Sequence, residues 1–246
     1  MIRRPPRSTH CISSAASDVY KRQSIKGVGT NRLTINGVTA LQGTAYDVQP
    51  DYIEIGSYIA AAVVTGGELI IPHIEDSLPL RVMERTYSQL GIHWSIVNNT
   101  LHLPRQLERR AIGDIGGTTP KIEDGIWPAF PSDLMSVSIV LATQTKGTVL
   151  FFEKMFESRM YFVDHLMSMG ANIIQCDPHR VVVIGPSKLK GSKLTSPDIR
   201  AGMAMLIAAC CAEGESLISN AQVIDRGYEA IEDRLSSLGV DIIREN

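Results

Sequence analysis

The amino-acid sequence predicts an α/β fold, of the α+β type, made from three copies of one unit. Two stretches, Arg32 to Gly37 and Arg180 to Gly185, match in pattern, and each is followed six residues later by a second glycine. In three places an aspartate comes directly after a proline, or one residue later, and begins an apolar segment that ends at a glycine. These aspartates are Asp51, Asp133 and Asp198. Self-similarity of this kind is the sequence signature of repeated structural units.

Each unit is predicted to run strand, helix, strand, helix, strand, with the aspartate in the turn before the first helix. The segment after each aspartate is apolar on most sides, so we predict a helix buried at the centre. These inner helices are expected between residues 51 and 67, 133 and 147, and 198 and 214. In the third unit, Ser196 is the predicted N-cap and Pro197 the predicted first-turn residue.

A second segment in each unit carries apolar residues three or four positions apart and ends just before a glycine. This pattern predicts an outer helix with a glycine cap before Gly91, Gly170 and Gly239. Closing strands are expected at 93–97, 172–174 and 241–243. The polar region 105–125 is predicted to be a long surface loop. Three such units fit one domain of about 220 residues with inner helices and pseudo-threefold symmetry.

Composition argues against several classes of function. The net charge of −2 predicts no polyanion-binding surface, so no nucleic-acid partner is expected. The longest apolar run, Met203 to Ala212, is far shorter than the ~18 residues of a membrane span, so no membrane partner is expected. The four cysteines and six histidines show no metal-ligand spacing, which predicts reduced thiols in a cytosolic protein and no metal site. Cys210 and Cys211 are expected to be inert core thiols.

Residues 1–23 differ in character from the rest of the chain. They hold five basic residues and one acid, and Arg- and Ser-rich N-termini of this kind can be transit peptides. The stretch also resembles the conceptual translation of sequencing-adapter DNA, and this is the favoured interpretation. We therefore expect an artefactual, disordered leader at 1–23 and assign the folded domain to 24–246.

Charged residues near the predicted helix starts are the candidates for chemistry. They are Asp133, Asp198, Arg159, Arg200 and Arg226. Free N–H groups and the positive end of the helix dipole attract anions at a helix start, and arginine adds fork-like donors that match phosphate or carboxylate. An aspartate at the same place is equally explained as a helix cap. Taken singly, these residues favour structural roles, whereas three arginines together favour an anion site.

Five strings resemble the C-terminal half of the enolpyruvyl transferases, over about Ile25 to Asn246. They are Pro50-Asp51-x-Ile53-Glu54-x-Gly56, Phe130-Pro131-Ser132-Asp133, Phe156-Glu157-Ser158-Arg159, Asp198-Ile199-Arg200-Ala201 and Asp225-Arg226-Gly227-Tyr228-Glu229. The strings are similar to the branch that acts on UDP-N-acetylglucosamine, rather than to the sister branch that acts on 3-phosphoshikimate. The resemblance implies an enolpyruvyl-transferase-type C-terminal domain whose partner domain is mostly missing from this chain.

The resemblance also implies an activity. The enolpyruvyl group of phosphoenolpyruvate would be transferred to the 3-hydroxyl of UDP-N-acetylglucosamine, with release of phosphate, in bacterial peptidoglycan synthesis. No metal or cofactor is implied. Asp133 would contact the sugar hydroxyl as the candidate general base, and Arg226 would bind phosphoenolpyruvate. The remaining substrate-binding residues would be Met155, which lines the UDP-sugar site, and Arg159, Asp198 and Arg200 in the same anionic cleft.

Two positions depart from the family pattern: Tyr52, where many members have arginine, and Met135, where many have glutamine. The resemblance places a lysine–asparagine pair, a further arginine and a cysteine proton donor in the partner domain. None has a counterpart here, so the chain alone is expected to be inactive. Two alternatives stay open: an enzyme like the 3-phosphoshikimate branch, and a non-catalytic repeat domain whose arginines are only ion-paired.

Overall fold

The computed structural model describes residues 24–28, 30, 32–37, 39–40, 45, 48–106, 108–113 and 116–245. The interpretation of 1–23 as a disordered leader therefore lies outside the described residues. The chain divides into two units between Pro50 and Asp51. In the first unit, strands β1 (Ser24–Lys26) and β2 (Thr34–Asn36) pair antiparallel. Strand β2 lies where the first repeat was predicted to open.

The second unit alternates helices and strands along the chain. In order they are α1 (Tyr52–Val64), β3 (Leu69–Pro72), α2 (Leu78–Ser88), β4 (Ser95–Val97), β5 (Thr100–Leu103), β6 (Lys121–Glu123), α3 (Met135–Thr143), β7 (Gly147–Phe152), α4 (Val163–Ser168), β8 (Asn172–Gln175), β9 (Arg180–Gly185), β10 (Lys193–Thr195), α5 (Ile199–Cys210), β11 (Leu217–Ser219) and α6 (Ile231–Ser237). Three short 3₁₀ helices are interleaved with them: Ser132–Leu134, Arg159–Phe162 and Ala221–Arg226.

Helices α1, α3 and α5 form the centre of the second unit, as predicted, and each contacts the other two. All residues of α3 are buried, which agrees with a segment that is apolar on every side. Close packing depends on glycine in α1, because a Cβ on Gly56 would lie 2.7 Å from Met83 Sδ and 2.9 Å from Leu134 Cδ2. The inner helices therefore hold their N-terminal ends in fixed positions.

Three small sheets surround these helices. Strands β3, β5 and β4 form an antiparallel sheet, and β10 pairs parallel with β11. The third sheet has the order β6-β7-β9-β8, with β6 parallel to β7 and the other neighbours antiparallel. Strand β9, predicted to open the third repeat, thus completes the sheet of the second repeat. Among the described residues, no helix combines the length and apolar character needed to cross a membrane.

Several predicted elements need correction. Strands β5 and β10 were not predicted, and β6 lies inside the region 105–125 that was predicted to be a loop. The strand predicted at 241–243 does not form, although Val240 and Ile242 pack against the core. Helix α5 is capped by Asp198 rather than by Ser196, whose hydroxyl donates to the Asp198 carbonyl at 3.1 Å. The predicted cap therefore lies two residues too early.

Arg109 fixes part of the region 105–125. Its guanidinium donates to the Val63 carbonyl at 2.5 Å and to the Gln144 carbonyl at 3.2 Å. Both carbonyls lie at C-terminal ends of inner helices, where carbonyl groups lack helical partners and a cation is favoured. The segment is therefore tied to the ends of α1 and α3 that lie away from the aspartates.

Candidate functional site

Of the three repeated aspartates, two cap helices and one does not. Asp51 caps α1 by accepting from the Ile53 N–H at 2.8 Å, and Asp198 caps α5 by accepting from the Arg200 N–H at 2.7 Å. Asp133 is the middle residue of the 3₁₀ turn before α3, and that turn has no side-chain cap. Its carboxylate is therefore available for other groups.

Two guanidinium groups form ion pairs with the Asp133 carboxylate. Arg159 Nη1 lies 3.2 Å from Oδ1, and Arg200 Nη2 lies 2.8 Å from Oδ2. The arginine side chains are only 17% and 20% exposed, whereas that of Asp133 is 38% exposed. Two cations face one anion, so the cluster carries an excess positive charge that suits an anionic ligand.

Arg159 is positioned from two sides. It is the first residue of its 3₁₀ helix and follows Ser158, which has a left-handed backbone with φ of 64°. Its Nη1 also donates to Ser132 Oγ at 2.7 Å. The guanidinium carbon lies 4.4 Å from the centre of the Phe156 ring, a favourable cation–π distance. The orientation of Arg159 is therefore set by the 3₁₀ turn before α3 and by an aromatic ring.

Arg200 projects from the first turn of α5. Burial disfavours its charged form, but Asp133 and Tyr228 outweigh this effect, so the pKa of Arg200 is raised. The Tyr228 hydroxyl lies 2.8 Å from Ser57 Oγ on α1. Tyr228 thereby links the arginine to a second inner helix.

Tyr52 brings the start of helix α1 to the same place. It is the first residue of α1, and burial followed by the charge of Asp133 raises its pKa. The N-terminal ends of α1, α3 and α5 therefore converge on Asp133. The sequence showed Tyr52 only as a departure from a family pattern, and its role in the site was missed, as were those of Tyr228, Ser132 and Phe156.

Met155 and Phe156 form an exposed turn beside Arg159. Both backbone N–H groups donate to Glu153 Oε1, at 3.1 and 3.2 Å. The Met155 and Phe156 side chains are 43% and 49% exposed. Met155 is thus exposed at the edge of the cluster, next to Phe156, whose ring stacks on Arg159.

Arg226 does not begin a helix, contrary to the prediction. It is the last residue of the 3₁₀ helix Ala221–Arg226 and is exposed. In the part of the chain that the structure describes, its guanidinium has no hydrogen bond or ion pair. The next residue, Gly227, lies beside the cluster, because a Cβ there would be 3.6 Å from Arg200 Nη1. Arg226 is therefore an unpaired cation in the segment next to Arg200.

The cysteines that the structure describes are not part of this cluster. Burial raises the pKa of Cys210 to about 11 and that of Cys211 to about 12, so both are neutral thiols near pH 7. Both residues are only partly buried, at the C-terminal end of α5, so they are not fully buried core thiols, and their lack of reactivity stays a prediction. Across the described ranges, no three His, Cys, Asp or Glu side chains are grouped as a metal site.

Comparisons with known proteins agree with the fold and identify the family. The sequence model of the family described as EPSP synthase (3-phosphoshikimate 1-carboxyvinyltransferase) matches residues 23–235. A UDP-N-acetylglucosamine 1-carboxyvinyltransferase of Treponema denticola is 52% identical over 95% of this chain and 57% of its own length. Another, from Bradyrhizobium diazoefficiens, is 52% identical over 89% of this chain and 51% of its own length. The chain thus spans about half the length of the curated relatives it matches.

Solved structures share the fold at low sequence identity. The enolpyruvyl transferase NikO from Streptomyces tendae has a TM-score of 0.77 at 20% identity, covering 93% of this chain and 52% of NikO. An EPSP synthase from Acinetobacter baumannii has a TM-score of 0.72 at 14% identity, covering 99% of this chain and 56% of that protein. With the match over residues 23–235, these findings show that the chain belongs to the enolpyruvyl transferase family, described as EPSP synthase (3-phosphoshikimate 1-carboxyvinyltransferase).

Proposed function

We propose that this chain supplies one wall of the active site of a bacterial, cytosolic UDP-N-acetylglucosamine 1-carboxyvinyltransferase. The observation that carries the proposal is Asp133, held between the guanidinium groups of Arg159 and Arg200 where three inner helices begin. The relatives that carry this enzyme name are 45–52% identical to the chain. The reaction is enolpyruvyl transfer in peptidoglycan synthesis, and a partner domain supplies the remaining groups.

In the proposed reaction the 3-hydroxyl of the sugar adds to C2 of phosphoenolpyruvate. The hydroxyl proton passes to Asp133, a new C–O bond forms, and a proton is delivered to the methylene carbon. Loss of a proton from that carbon and of phosphate from C2 then restores the carbon–carbon double bond and forms the enol ether. As the resemblance implies, no metal or cofactor takes part. Asp133 acts as general base, a role that requires hydrogen-bond contact with the hydroxyl.

The arginines bind the anionic groups of the substrates. Phosphoenolpyruvate carries a carboxylate and a phosphate, and both match guanidinium donors. An anion that binds Arg159 or Arg200 displaces an ion pair with Asp133. The freed carboxylate oxygen can then accept a hydrogen bond from the sugar hydroxyl. Arg226, which has no partner among the described residues, adds a third cation. Met155 contacts the UDP-sugar at the exposed edge, and Asp198 keeps Arg200 in place by capping α5.

The description of the family model favours a second candidate, transfer to 3-phosphoshikimate. The same Asp133 cluster would then act on a different hydroxyl and a different phosphate. The identity of 52% to relatives named for UDP-N-acetylglucosamine favours the first candidate. A non-catalytic repeat domain is the third possibility, in which Arg159 and Arg200 serve only as ion-pair partners.

The test uses the complete Treponema denticola relative, in which the residue that aligns with Asp133 is changed to asparagine. Loss of the general base is expected to lower kcat by roughly 100- to 10,000-fold while the fold is kept. The residue that aligns with Asp51 provides the matched control, because Asp51 occupies the equivalent repeat position in this chain but caps a helix. Its change to asparagine keeps a side-chain oxygen for the cap, and wild-type activity is expected.

The same assay separates the three candidates. Phosphate release that depends on UDP-N-acetylglucosamine supports the first, and release that depends on 3-phosphoshikimate supports the second. Unchanged activity in the variant at the Asp133 position would remove the proposed catalytic role. A folded variant at the Arg226 position that keeps full activity and substrate affinity would favour the non-catalytic interpretation of this surface.

A further inference from the structure

Two buried carboxyl groups lie side by side behind the Asp133 cluster. Strands β6 and β7 run parallel with Glu123 opposite Phe152, so the next residue of each strand, Asp124 and Glu153, follows at the same edge. Asp124 is 1% exposed and Glu153 is fully buried. Two adjacent carboxylates in such a place repel each other and lose hydration, which favours a state in which one of them keeps its proton.

One acceptor oxygen of this pair has no hydrogen-bond donor. Glu153 accepts from the Ser132 hydroxyl at 3.0 Å and from two backbone N–H groups. Asp124 Oδ1 accepts from the Lys154 N–H, but the buried Asp124 Oδ2 has no hydrogen-bond partner among the described residues. A buried acceptor without a donor is costly. A proton held by Glu153 and directed at Asp124 would satisfy it.

The state of Glu153 agrees with this hydrogen-bond pattern. Burial, and then the neighbouring Asp124, raise the pKa of Glu153 to about 7. Because an ordinary glutamate has a value of 4.5, Glu153 keeps a proton at pH values where exposed carboxyl groups have lost theirs.

Two connections run from Glu153 to Arg159. In the first, Arg159 Nη1 donates to Ser132 Oγ, and the Ser132 hydroxyl in turn donates to Glu153. In the second, Glu153 Oε1 accepts from the Phe156 N–H at 3.2 Å, and the Phe156 ring stacks on the Arg159 guanidinium. Both connections end at the arginine that meets Asp133.

We propose that Asp124 and Glu153 form a positioning pair that shares one proton and fixes, through Ser132 and Phe156, the orientation in which Arg159 meets Asp133. Among the described residues, no hydrogen bond or ion pair joins Asp124 or Glu153 to Asp133 directly, so the action of the pair is indirect. Its consequence for catalysis rests on the proposed function, whereas the proton and the orientation of Arg159 can be measured without any turnover.

Other charged groups face Glu153 and have to be separated from it. The positive charge of Arg159 approaches the carboxyl group and favours its ionised form. His179, in the turn before β9, places Nδ1 2.9 Å from the main-chain oxygen of Glu153. The Lys154 ammonium pairs with Glu123 at 2.7 Å. A pH titration must therefore report on the Glu153 and Arg159 side chains themselves.

The test is a pH titration of this chain by NMR, with ¹³C in the glutamate carboxyl groups and ¹⁵N in the arginine side chains. Glu153 is expected to titrate with a midpoint about 7, and the Nε–Hε signal of Arg159 is expected to move with the same midpoint. In Glu153→Gln, the amide can donate to Asp124 while its oxygen accepts from Ser132. The Arg159 signal should then stay at its low-pH position throughout.

Three further variants assign the effect. Asp124→Asn is expected to lower the Glu153 midpoint towards 4.5, because the neighbouring charge is gone and an amide donor replaces the shared proton. Ser132→Ala should leave the raised midpoint but reduce or remove the response of Arg159. His179→Gln is the matched control, which removes the nearby imidazole and should change neither signal. A dispersed amide spectrum establishes that each variant is folded.

A Glu153 midpoint near 4.5 in the wild-type chain would overturn the proposal, and so would an Arg159 signal that ignores the titration. The wild-type result decides even if a variant fails to fold. Activity of the complete relative supplies the separate readout. If its Asp133-position variant is fully active but the NMR steps appear, the transferase role fails and the positioning pair stands. If the variant loses activity but the NMR steps are absent, the transferase role stands and the positioning pair fails.

Discussion

At the scale of single residues, one inserted serine distinguishes Asp133 from its two counterparts. Asp51 and Asp198 directly follow proline, whereas Ser132 separates Asp133 from Pro131. One residue of a helix corresponds to a rotation of about 100°, so Asp133 moves past the cap position and into the first turn. The extra serine is visible in the sequence, although the repeat pattern makes the three aspartates look equivalent. The convergence of Arg159 and Arg200 on Asp133 could not be read from the sequence, because it depends on tertiary contacts across 26 and 67 residues of the chain.

The two capping aspartates lead to a stability prediction. Asp51→Ala and Asp198→Ala should each lower the free energy of unfolding of this chain by about 1 kcal/mol, because a backbone N–H loses its acceptor. Asp51→Asn and Asp198→Asn keep a side-chain oxygen and should change it by only a few tenths of that amount. Urea unfolding measures both pairs. Equal losses in the alanine and asparagine variants would contradict the capping role.

Asp133 leads to a binding prediction. Its two ion pairs are partly exposed and are each worth roughly 0.2–1 kcal/mol, and an incoming anion must displace them. Asp133→Asn should therefore raise the affinity of this chain for phosphoenolpyruvate by about three- to tenfold, measured by calorimetry. Asp51→Asn is the control and should bind as the wild type does. Weaker binding in Asp133→Asn would show that the carboxylate itself helps to hold the ligand.

At the scale of elements, the long apolar segments were predictable, whereas the short strands β5 and β10 were missed. The inner helices α1, α3 and α5 were predicted from apolar runs that only a buried helix explains. Strand β10 has three residues and β5 has four. Strands β4 and β8 are equally short but occupy the closing position that the repeats share, whereas β5 and β10 lie outside the repeated pattern. Residues 241–243 were predicted to be a strand but do not form one. Val240 and Ile242 are apolar because they pack on the core, and burial alone does not require strand pairing.

The packing of α5 leads to a prediction for Gly202. Alanine in a helix is normally about 1 kcal/mol more stable than glycine. Here a Cβ would overlap Ser196 Oγ and lie 2.8 Å from Ile224 Cγ1, in the 3₁₀ helix that carries Arg226. Gly202→Ala should therefore lower the free energy of unfolding by about 1–3 kcal/mol. Gly67→Ala is the control, since its Cβ would be 3.5 Å from the nearest atom. Stabilisation of Gly202→Ala in urea unfolding would contradict this packing.

At the scale of the whole molecule, the buried acid pair makes stability depend on pH. The folded-state pKa of Glu153, about 7, lies above the ordinary value of 4.5. The stability contributed by its protonated form is therefore fully present below pH 4.5 and is lost as the pH rises through 7. The loss should be on the order of 3 kcal/mol for this shift.

Comparison with Glu153→Gln isolates this contribution. Exposed acids such as Asp76 and Asp177, whose arginine partners lower their pKa, act in the opposite direction. They are present in both proteins and cancel in the difference. The stability of the wild type relative to Glu153→Gln should fall between pH 4.5 and 8, as measured by chemical denaturation. Parallel curves would show that Glu153 is ionised throughout this range.

The last prediction concerns turnover by the 246-residue chain on its own. Addition of a hydroxyl to the enol requires both a base and an acid that protonates the methylene carbon. Asp133 can provide the base, but the described groups around it are arginines and tyrosines, and the pKa of Tyr52 is raised. The chain should therefore bind phosphoenolpyruvate without sustained phosphate release when UDP-N-acetylglucosamine is added. The complete Treponema denticola relative serves as the positive control in the same phosphate assay. Sustained release by this chain would show that its own residues include the missing acid, and Arg200→Ala would then establish whether the Asp133 cluster is the site of that reaction.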